Sequence, residues 1–93
     1  MAKSIVQNKR ECLICGTIYD LELHHIIYGS ANRKLSDQYG LVCYLCRRHH
    51  TGDAGVHFNK NMDDKLKKYA QEKFEEVYGE SKNFVEIFGR NYK

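Results

Sequence analysis

Apolar and polar positions divide the chain into a front part with strand character and a rear part with helical character. Over residues 18–27, alternating and β-branched apolar residues predict a strand or a pair of strands. The short apolar run 41–45 follows Gly40 and predicts a second strand. The intervening residues 28–39 contain Gly, Ser, Asn and Asp, and this composition predicts a loop.

The last third of the chain has the spacing of amphipathic helices. Asn61 is suited to cap a first helix and Gly79 to end it. Ser81 is suited to cap a second, shorter helix, which Gly89 ends. The apolar stripe of the first helix is typical of core packing and consists of Leu66, Tyr69, Ala70, Phe74 and Val77.

Two further segments complete the pattern. Residues 12–16 follow a polar lead-in and have the form of a metal-binding knuckle, two cysteines three positions apart with Gly16 permitting the turn. A short helix is predicted over 47–51, and the glycine-containing segment 52–55 interrupts it.

Length and composition favour one small domain, residues 1–93, with a core at 12–58 and helices at 61–89. A chain of 93 residues buries only a small core, so a bound metal would contribute much of its stability. No apolar run has the length of a membrane span or the form of a signal peptide, so we expect a soluble, cytoplasmic protein without membrane partners.

All four cysteines and all five histidines lie between residues 12 and 57. Two Cys-x2-Cys pairs without a signal peptide favour reduced, metal-bound thiols over disulfides. Thiolate and imidazole are the ligands of tetrahedral zinc, and here there are more of them than one such site holds. We therefore expect a structural Zn²⁺, bound in the simplest interpretation by Cys12, Cys15, Cys43 and Cys46, and a second, open metal site formed by histidines.

Basic side chains accompany these ligands in the sequence. The net charge of +3 is only mildly basic and by itself indicates an ordinary solvated surface. Arg33, Lys34, Arg47 and Arg48, however, all lie within the metal-ligand segment. Cations beside a metal site suit an anionic substrate, above all phosphate, so these four residues are candidate nucleic-acid contacts.

The order of these motifs resembles the HNH endonucleases of the ββα-metal class. The resemblance is carried by His24-His25-Ile26 and by the later Leu-Cys-Arg-Arg-His-His of residues 45–50, with the zinc ligands interleaved. More narrowly, residues 28–41 and 49–57 resemble the phage recombination-enhancement (Ref-like) HNH nucleases. The resemblance covers about residues 12–58.

This resemblance implies an α+β fold, a small zinc-stapled ββα-metal core followed by a C-terminal pair of helices. It implies a DNA endonuclease acting in phage or prophage DNA processing or recombination, in the cytoplasm of a bacterial host. His25 would be the general base, while His24 and His50 would hold one divalent cation such as Mg²⁺, Mn²⁺ or Ni²⁺, and His57 could complete that site from a loop. Neighbouring residues of a regular strand face opposite ways, so His24 and His25 can serve one site only where the strand twists, bulges or ends.

The resemblance also shifts the ligands expected for the structural zinc. The second ligand pair becomes Cys46 and His49, which join Cys12 and Cys15. Cys43 would then be a small buried residue of the second strand. The four-cysteine site remains the alternative.

Three positions depart from the family pattern. No Asn lies near residues 39–41, where the middle Asn of the motif belongs, and Asn32 is the nearest one. The position of a further helical ligand is occupied by Ala54. The basic N-terminal extension of the recombination-enhancement nucleases is reduced here to Lys3, Lys9 and Arg10, so a recombinase filament is a less certain partner than DNA. Two non-enzymatic alternatives are a zinc-dependent DNA-binding or adaptor module and a structural zinc protein of phage assembly.

Overall fold

A computed structural model describes residues 3–53 and 55–93 of the chain. It is a small α+β structure, as the sequence predicts, and its elements follow one another in the order β1 (Leu21–His25), α1 (Ser30–Tyr39), β2 (Val42–Cys46), α2 (Arg47–His50), α3 (Lys60–Tyr78) and α4 (Phe84–Phe88).

The two strands form an antiparallel pair in which Leu23 lies opposite Tyr44 and His25 lies opposite Val42. Successive side chains of a strand point to opposite faces of the sheet. One face of β1 therefore carries Glu22 and His24, and the other face carries Leu23 and His25. This alternation places the side chains of His24 and His25 on opposite faces of the sheet.

The segment predicted as a loop is helix α1, so that prediction was wrong. Of the residues within the helix that suggested a loop, Ser30 is exposed, and Asn32 and Asp37 are half-buried. Ser36 is fully buried, and its hydroxyl donates a hydrogen bond to the carbonyl of Ile27. Gly40 ends the helix in the left-handed conformation, and its N–H donates to the carbonyl of Ser36. Composition concealed the helix because a short helix at the surface can be polar over most of its length.

The remaining helices agree with the sequence in number, but the two C-terminal helices begin at other residues than predicted. The short helix after β2 is present as α2, and Gly79 and Gly89 follow α3 and α4 as predicted. The predicted N-caps Asn61 and Ser81 were wrong. Asn59 accepts a hydrogen bond from the N–H of Met62, so the first cap lies two residues before the predicted one. Asn83 accepts one from the N–H of Glu86, so the second cap lies two residues after the predicted one.

The apolar core joins the sheet to the C-terminal helices. Phe74 of α3 is fully buried and packs edge-to-face against Phe84, Phe88 and Tyr39. Two residues of the predicted core stripe, Tyr69 and Val77, are instead 38% and 54% exposed, because they lie beside the buried face of α3 and not on it. No helix of the described residues is both long enough and apolar enough to cross a membrane.

Two glycines with the same backbone conformation offer a matched test of packing in this fold. A Cβ at Gly40 (φ +76°) would collide with the carbonyl oxygen of Lys3, whereas one at Gly89 (φ +80°) would meet nothing within 4 Å. Both alanine variants introduce left-handed strain of about 1–2 kcal/mol, and Gly40→Ala adds a steric conflict of about 1–3 kcal/mol. Chemical denaturation should therefore show a clearly larger loss of unfolding free energy for Gly40→Ala. Equal losses would contradict the packing of residue 3 against Gly40.

Candidate functional site

Four predicted zinc ligands converge on one point, which we name the Cys3His cluster: Cys12, Cys15, Cys46 and His49. Their ligand atoms all lie within 4.8 Å of one another. The Sγ atoms of Cys15 and Cys46 are 3.8 Å apart, and the Nδ1 atom of His49 lies 3.3 Å from Sγ of Cys46. Zinc with bonds of about 2.3 Å to sulfur and 2.0–2.1 Å to nitrogen places its ligand atoms about 3.3–3.8 Å apart. The cluster can therefore hold a metal such as zinc.

Local backbone structure brings the cluster together. The N–H of Gly16 donates to the carbonyl of Cys12, which closes the knuckle, and Gly16 has the left-handed conformation that the turn requires (φ +79°). The N–H of Leu13 donates to the carbonyl of Tyr44, which fixes the knuckle against β2. Cys46 ends β2 and His49 follows one helical turn later in α2, so both ligands face the knuckle.

Cys43 lies outside this cluster, so the four-cysteine alternative is not the arrangement of the structure. Cys43 lies on β2 opposite His24 of β1. It is 1% exposed and packs in the core. Burial, together with the nearby Cys12, raises the pKa of Cys43 to about 12. Burial alone would also raise the pKa of Cys12, but hydrogen bonds from the backbone of Cys46, Cys15 and Ile14 outweigh it and lower that pKa to about 6. Cys12 thus favours the thiolate form that binds a metal, and Cys43 does not. Burial and the neighbouring thiols of Cys12 and Cys15 instead raise the pKa of Cys46.

Three histidines form a second cluster, which we name the histidine triad: His24, His50 and His57. One ring nitrogen from each lies within 4.8 Å of the others. The Nε2 atoms of His50 and His57 are 3.2 Å apart, and the ring centroids of His24 and His50 are 5.0 Å apart. Catalytic metal sites commonly have three protein ligands and an open fourth coordination position, and three imidazoles can provide such a site.

Hydrogen bonding in the triad leaves lone pairs available to a cation. His24 is 2% exposed, and its buried Nε2 has no hydrogen-bond partner among the described residues. Such an atom costs about 1–3 kcal/mol unless something binds it. Nδ1 of His50 lies 2.8 Å from Oε1 of Glu22, so its N–H donates to the carboxylate and its Nε2 lone pair points toward the other histidines.

A turn after α2 brings His57 back to His50. The N–H of Val56 donates to the carbonyl of His49, and the N–H of His57 lies 3.5 Å from the carbonyl of His50. Gly55 packs so closely on the backbone of His50 that a side chain there would collide with its carbonyl. Position 54, where the family resemblance expected a further ligand, lies outside the described residues.

His25 lies beside the triad but is reached from the other face of the sheet. It is the last residue of β1, and both His24 and His25 line one cleft of about 430 Å³ at the end of the strand. The histidines can share this cleft because the strand ends there, which is one of the three conditions expected from the sequence. Oδ1 of Asp37, on α1, lies 3.4 Å from Nε2 of His25.

The predicted phosphate contacts divide into two groups. Arg33 lines the cleft, and Lys34 lines an adjoining depression that also includes His25. Arg47 and Arg48 are exposed on α2, but neither lines the cleft. Asn32 does not contact His25 or the triad; its side-chain amide lies 3.4 Å from the carbonyl of Phe88 and ties α1 to α4.

Sequence reasoning missed Glu22, Asp37 and Tyr28. Glu22 and His24 are two residues apart on a strand, a spacing that places both on one face and could have identified the carboxylate partner. Asp37 was hidden by the prediction of a loop in place of α1. Tyr28 packs its ring on those of His57 and His24, and no local pattern marks that contact.

A buried polar network supports Tyr28 from behind. Its hydroxyl donates a 3.0 Å hydrogen bond to Oδ2 of Asp63, which also pairs with Nζ of Lys67 at 2.8 Å. The Lys67 ammonium lies 4.3 Å from the centre of the Tyr28 ring. Burial and the Asp63 carboxylate raise the pKa of Tyr28, so its hydroxyl stays protonated. Helix α3 thereby holds one wall of the cleft in place.

A larger surface depression, about 860 Å³, lies elsewhere, between the end of α3 and α4. Its lining includes Glu75, Glu76 and Glu80 with Lys82 as the one cation among the described residues there. The histidine cleft, although smaller, is the site with metal-ligand chemistry.

Comparison with known proteins identifies no relative. No protein-family model, no curated protein and no solved structure matches the chain. Function must therefore be argued from the two clusters and the cleft.

The Cys3His cluster predicts different outcomes for two neighbouring substitutions. His49→Ala should lose the bound metal and much of the stability, since it removes a ligand and metal binding is coupled to folding. Cys43→Ala should keep one metal per chain and lose only about 1–2 kcal/mol by leaving a small cavity. Elemental analysis after gel filtration, with urea denaturation, measures both. Metal loss in Cys43→Ala with retention in His49→Ala would restore the four-cysteine alternative.

The buried His24 predicts a specific acid sensitivity. Burial, then repulsion from His50 and His57, lowers the pKa of His24 to about 3. The unfolded imidazole titrates near 6.5, so acid protonates the unfolded state first, and the stability that neutral His24 contributes above pH ~6.5 is lost as the pH falls toward 3. Without added cation, unfolding free energy between pH 7.5 and 5 should fall less steeply for His24→Leu than for wild type, with a slope that differs by up to about one proton. Parallel curves would contradict the lowered pKa.

Proposed function

We propose that the protein is a metal-dependent DNA endonuclease of the HNH type, which hydrolyses phosphodiester bonds with His25 as general base. The observation that carries the proposal is the buried, unpartnered Nε2 of His24, which converges with His50 and His57 on a cleft that His25 also lines. A zinc-dependent binding module needs the Cys3His cluster but has no use for a second, open set of ligands.

The order of elements supports this assignment. An antiparallel strand pair is followed directly by a short helix, with one triad histidine on the first strand and another on the helix. This order agrees with the ββα-metal resemblance found in the sequence. A place in phage or prophage DNA processing follows from that resemblance alone.

His25 is placed to remove a proton from a water molecule in the cleft. Imidazole is the side chain best suited to this role near neutral pH, because its neutral form can accept a proton. The Asp37 carboxylate, 3.4 Å from Nε2, stabilises the imidazolium that results. Asp37 is therefore the residue that supports the base in this proposal.

The triad provides the ligands for a divalent cation. When bound, the cation supplies positive charge that stabilises the charge developing on the phosphate oxygens. Three neutral imidazoles suit Ni²⁺ or Zn²⁺ better than Mg²⁺, which prefers carboxylate and water oxygens. Glu22 does not alter this preference, because its carboxylate contacts Nδ1 of His50 and is not among the converging ligand atoms. Of the cations expected from the sequence, Ni²⁺ thus fits the ligand set best.

Substrate orientation falls to groups on the rim of the cleft. Arg33 can pair with a phosphate next to the scissile one, since guanidinium matches phosphate geometry. The Tyr28 hydroxyl is held by Asp63, so its ring confines the substrate beside His57. Together these residues place a backbone phosphate between His25 and the triad.

Plasmid nicking by wild type and His25→Ala tests the function. His25→Ala should keep its metal content and melting temperature but cut about 10²–10⁴-fold more slowly, the usual loss for a general base. Products should carry 5′-phosphate and 3′-hydroxyl ends, because this route breaks the bond to the 3′ oxygen. A folded His25→Ala protein that cuts at the wild-type rate, purified alongside an inactive His24→Ala control, would overturn the mechanism.

The dependence of plasmid nicking on cation concentration distinguishes the proposed metal ligands from the proposed general base. His57→Ala should need a higher cation concentration for half-maximal nicking, whereas His25→Ala should leave that concentration unchanged. Wild type should respond to Ni²⁺ at lower concentration than to Mg²⁺. DNA binding without cleavage under any cation would favour the binding-module alternative.

A further inference from the structure

The first residues of the described chain form an arm, residues 3–11, fixed along the outer edge of β2. The N–H of Ile5 donates to the carbonyl of Gly40, and the side-chain oxygen of Gln7 accepts a 2.8 Å hydrogen bond from the N–H of Tyr44. Val6 is buried in the core. The polar lead-in seen in the sequence is thus an integral part of the fold, with its backbone held in place.

Anchoring of the arm gives its cations fixed positions. Lys3, Lys9 and Arg10 are exposed and line a depression of about 420 Å³ beside the sheet. The Arg10 guanidinium lies 5.2 Å from the centre of the Tyr44 ring, close enough for a cation–π contact that orients it. The arm therefore presents three positive charges on the side of the sheet that carries Tyr44.

This depression and the cleft adjoin at Leu23, which lines both. Leu23 is 37% exposed and lines the arm depression, the cleft and the depression beside α1. It lies opposite Tyr44 and on the same face of β1 as His25, two residues further on. The outer face of the sheet therefore forms one path from the arm, past His25, to α1.

Charge along this path is strongly one-sided. Its described lining contains five Lys and Arg side chains and one carboxylate, Asp37, which contacts His25. None of the five forms an ion pair among the described residues, whereas lysines of α3 such as Lys60, Lys67 and Lys73 do. Unpaired cations in a line are available to a polyanion, and paired ones are not.

We propose that this outer face is the channel for the DNA backbone, in which Lys3, Lys9 and Arg10 bind phosphates on one side of the scissile bond and Arg33 and Lys34 bind phosphates on the other. The assignment rests on the proposed nuclease function. It adds three contacts that the sequence did not nominate and excludes Arg47 and Arg48, which line no part of the path. Contacts to phosphate alone make the binding tolerant of sequence.

The test compares two double variants that remove the same charge. Lys9→Gln with Arg10→Gln alters the channel, and Lys65→Gln with Lys68→Gln alters exposed residues of α3 outside it. Affinity for a short labelled DNA duplex is measured by fluorescence anisotropy over a range of salt, without added divalent cation. The slope of log affinity against log salt should fall by about two units for the arm variant and stay unchanged for the α3 variant.

Metal content and melting temperature confirm that both variants are folded. Equal slopes for the two variants would show that only net charge matters and would overturn the channel. Since binding is measured without cleavage, failure of the channel leaves the nicking result of His25→Ala untouched. Conversely, if the protein never nicks DNA but shows the expected change in slope, the proposed channel is supported and the proposed nuclease activity is overturned.

Discussion

The rest of the site depends on one adjacency in α2, where His49 belongs to the Cys3His cluster and His50 belongs to the histidine triad. A metal bound by Cys12, Cys15, Cys46 and His49 would tie the knuckle to the junction of β2 and α2. Fixing His49 in this way also fixes the peptide that carries His50. The structural ligands thereby set the geometry of the candidate catalytic ones, over the distance of one peptide bond.

The two-stranded sheet supplies a second constraint, because successive side chains of each strand point to opposite faces of the sheet. Glu22 and His24 face inward toward the triad, while Leu23 and His25 face the outer path. Termination of β1 at His25 lets both sets meet in one cleft. A longer first strand would keep His25 and the triad on opposite sides of a continuous sheet.

Much of this arrangement was predictable from the sequence, and the failures have identifiable causes. Ligand types and spacing predicted one closed metal site and a second site of histidines, but their simplest interpretation was a four-cysteine site. The family resemblance supplied His49 in place of Cys43 and the grouping of His24, His50 and His57, which the structure brings together. The polar composition of α1 led to the prediction of a loop, although a short helix at the surface can be polar over most of its length. Because the helix was not predicted, the position of Asp37 beside His25 was missed. Tyr28 and Asp63 were not foreseen, since their contact spans 35 positions and depends on how α3 docks.

The Tyr28–Asp63–Lys67 network also has an electrostatic consequence. An unneutralised Lys67 beside the triad would repel any cation that approached His24, and its charge already acts on that imidazole. Asp63 cancels this charge at 2.8 Å, inside the protein, where screening by salt does not reach. The back wall of the site is thus closer to electrical neutrality, which would favour entry of the divalent cation proposed for the triad.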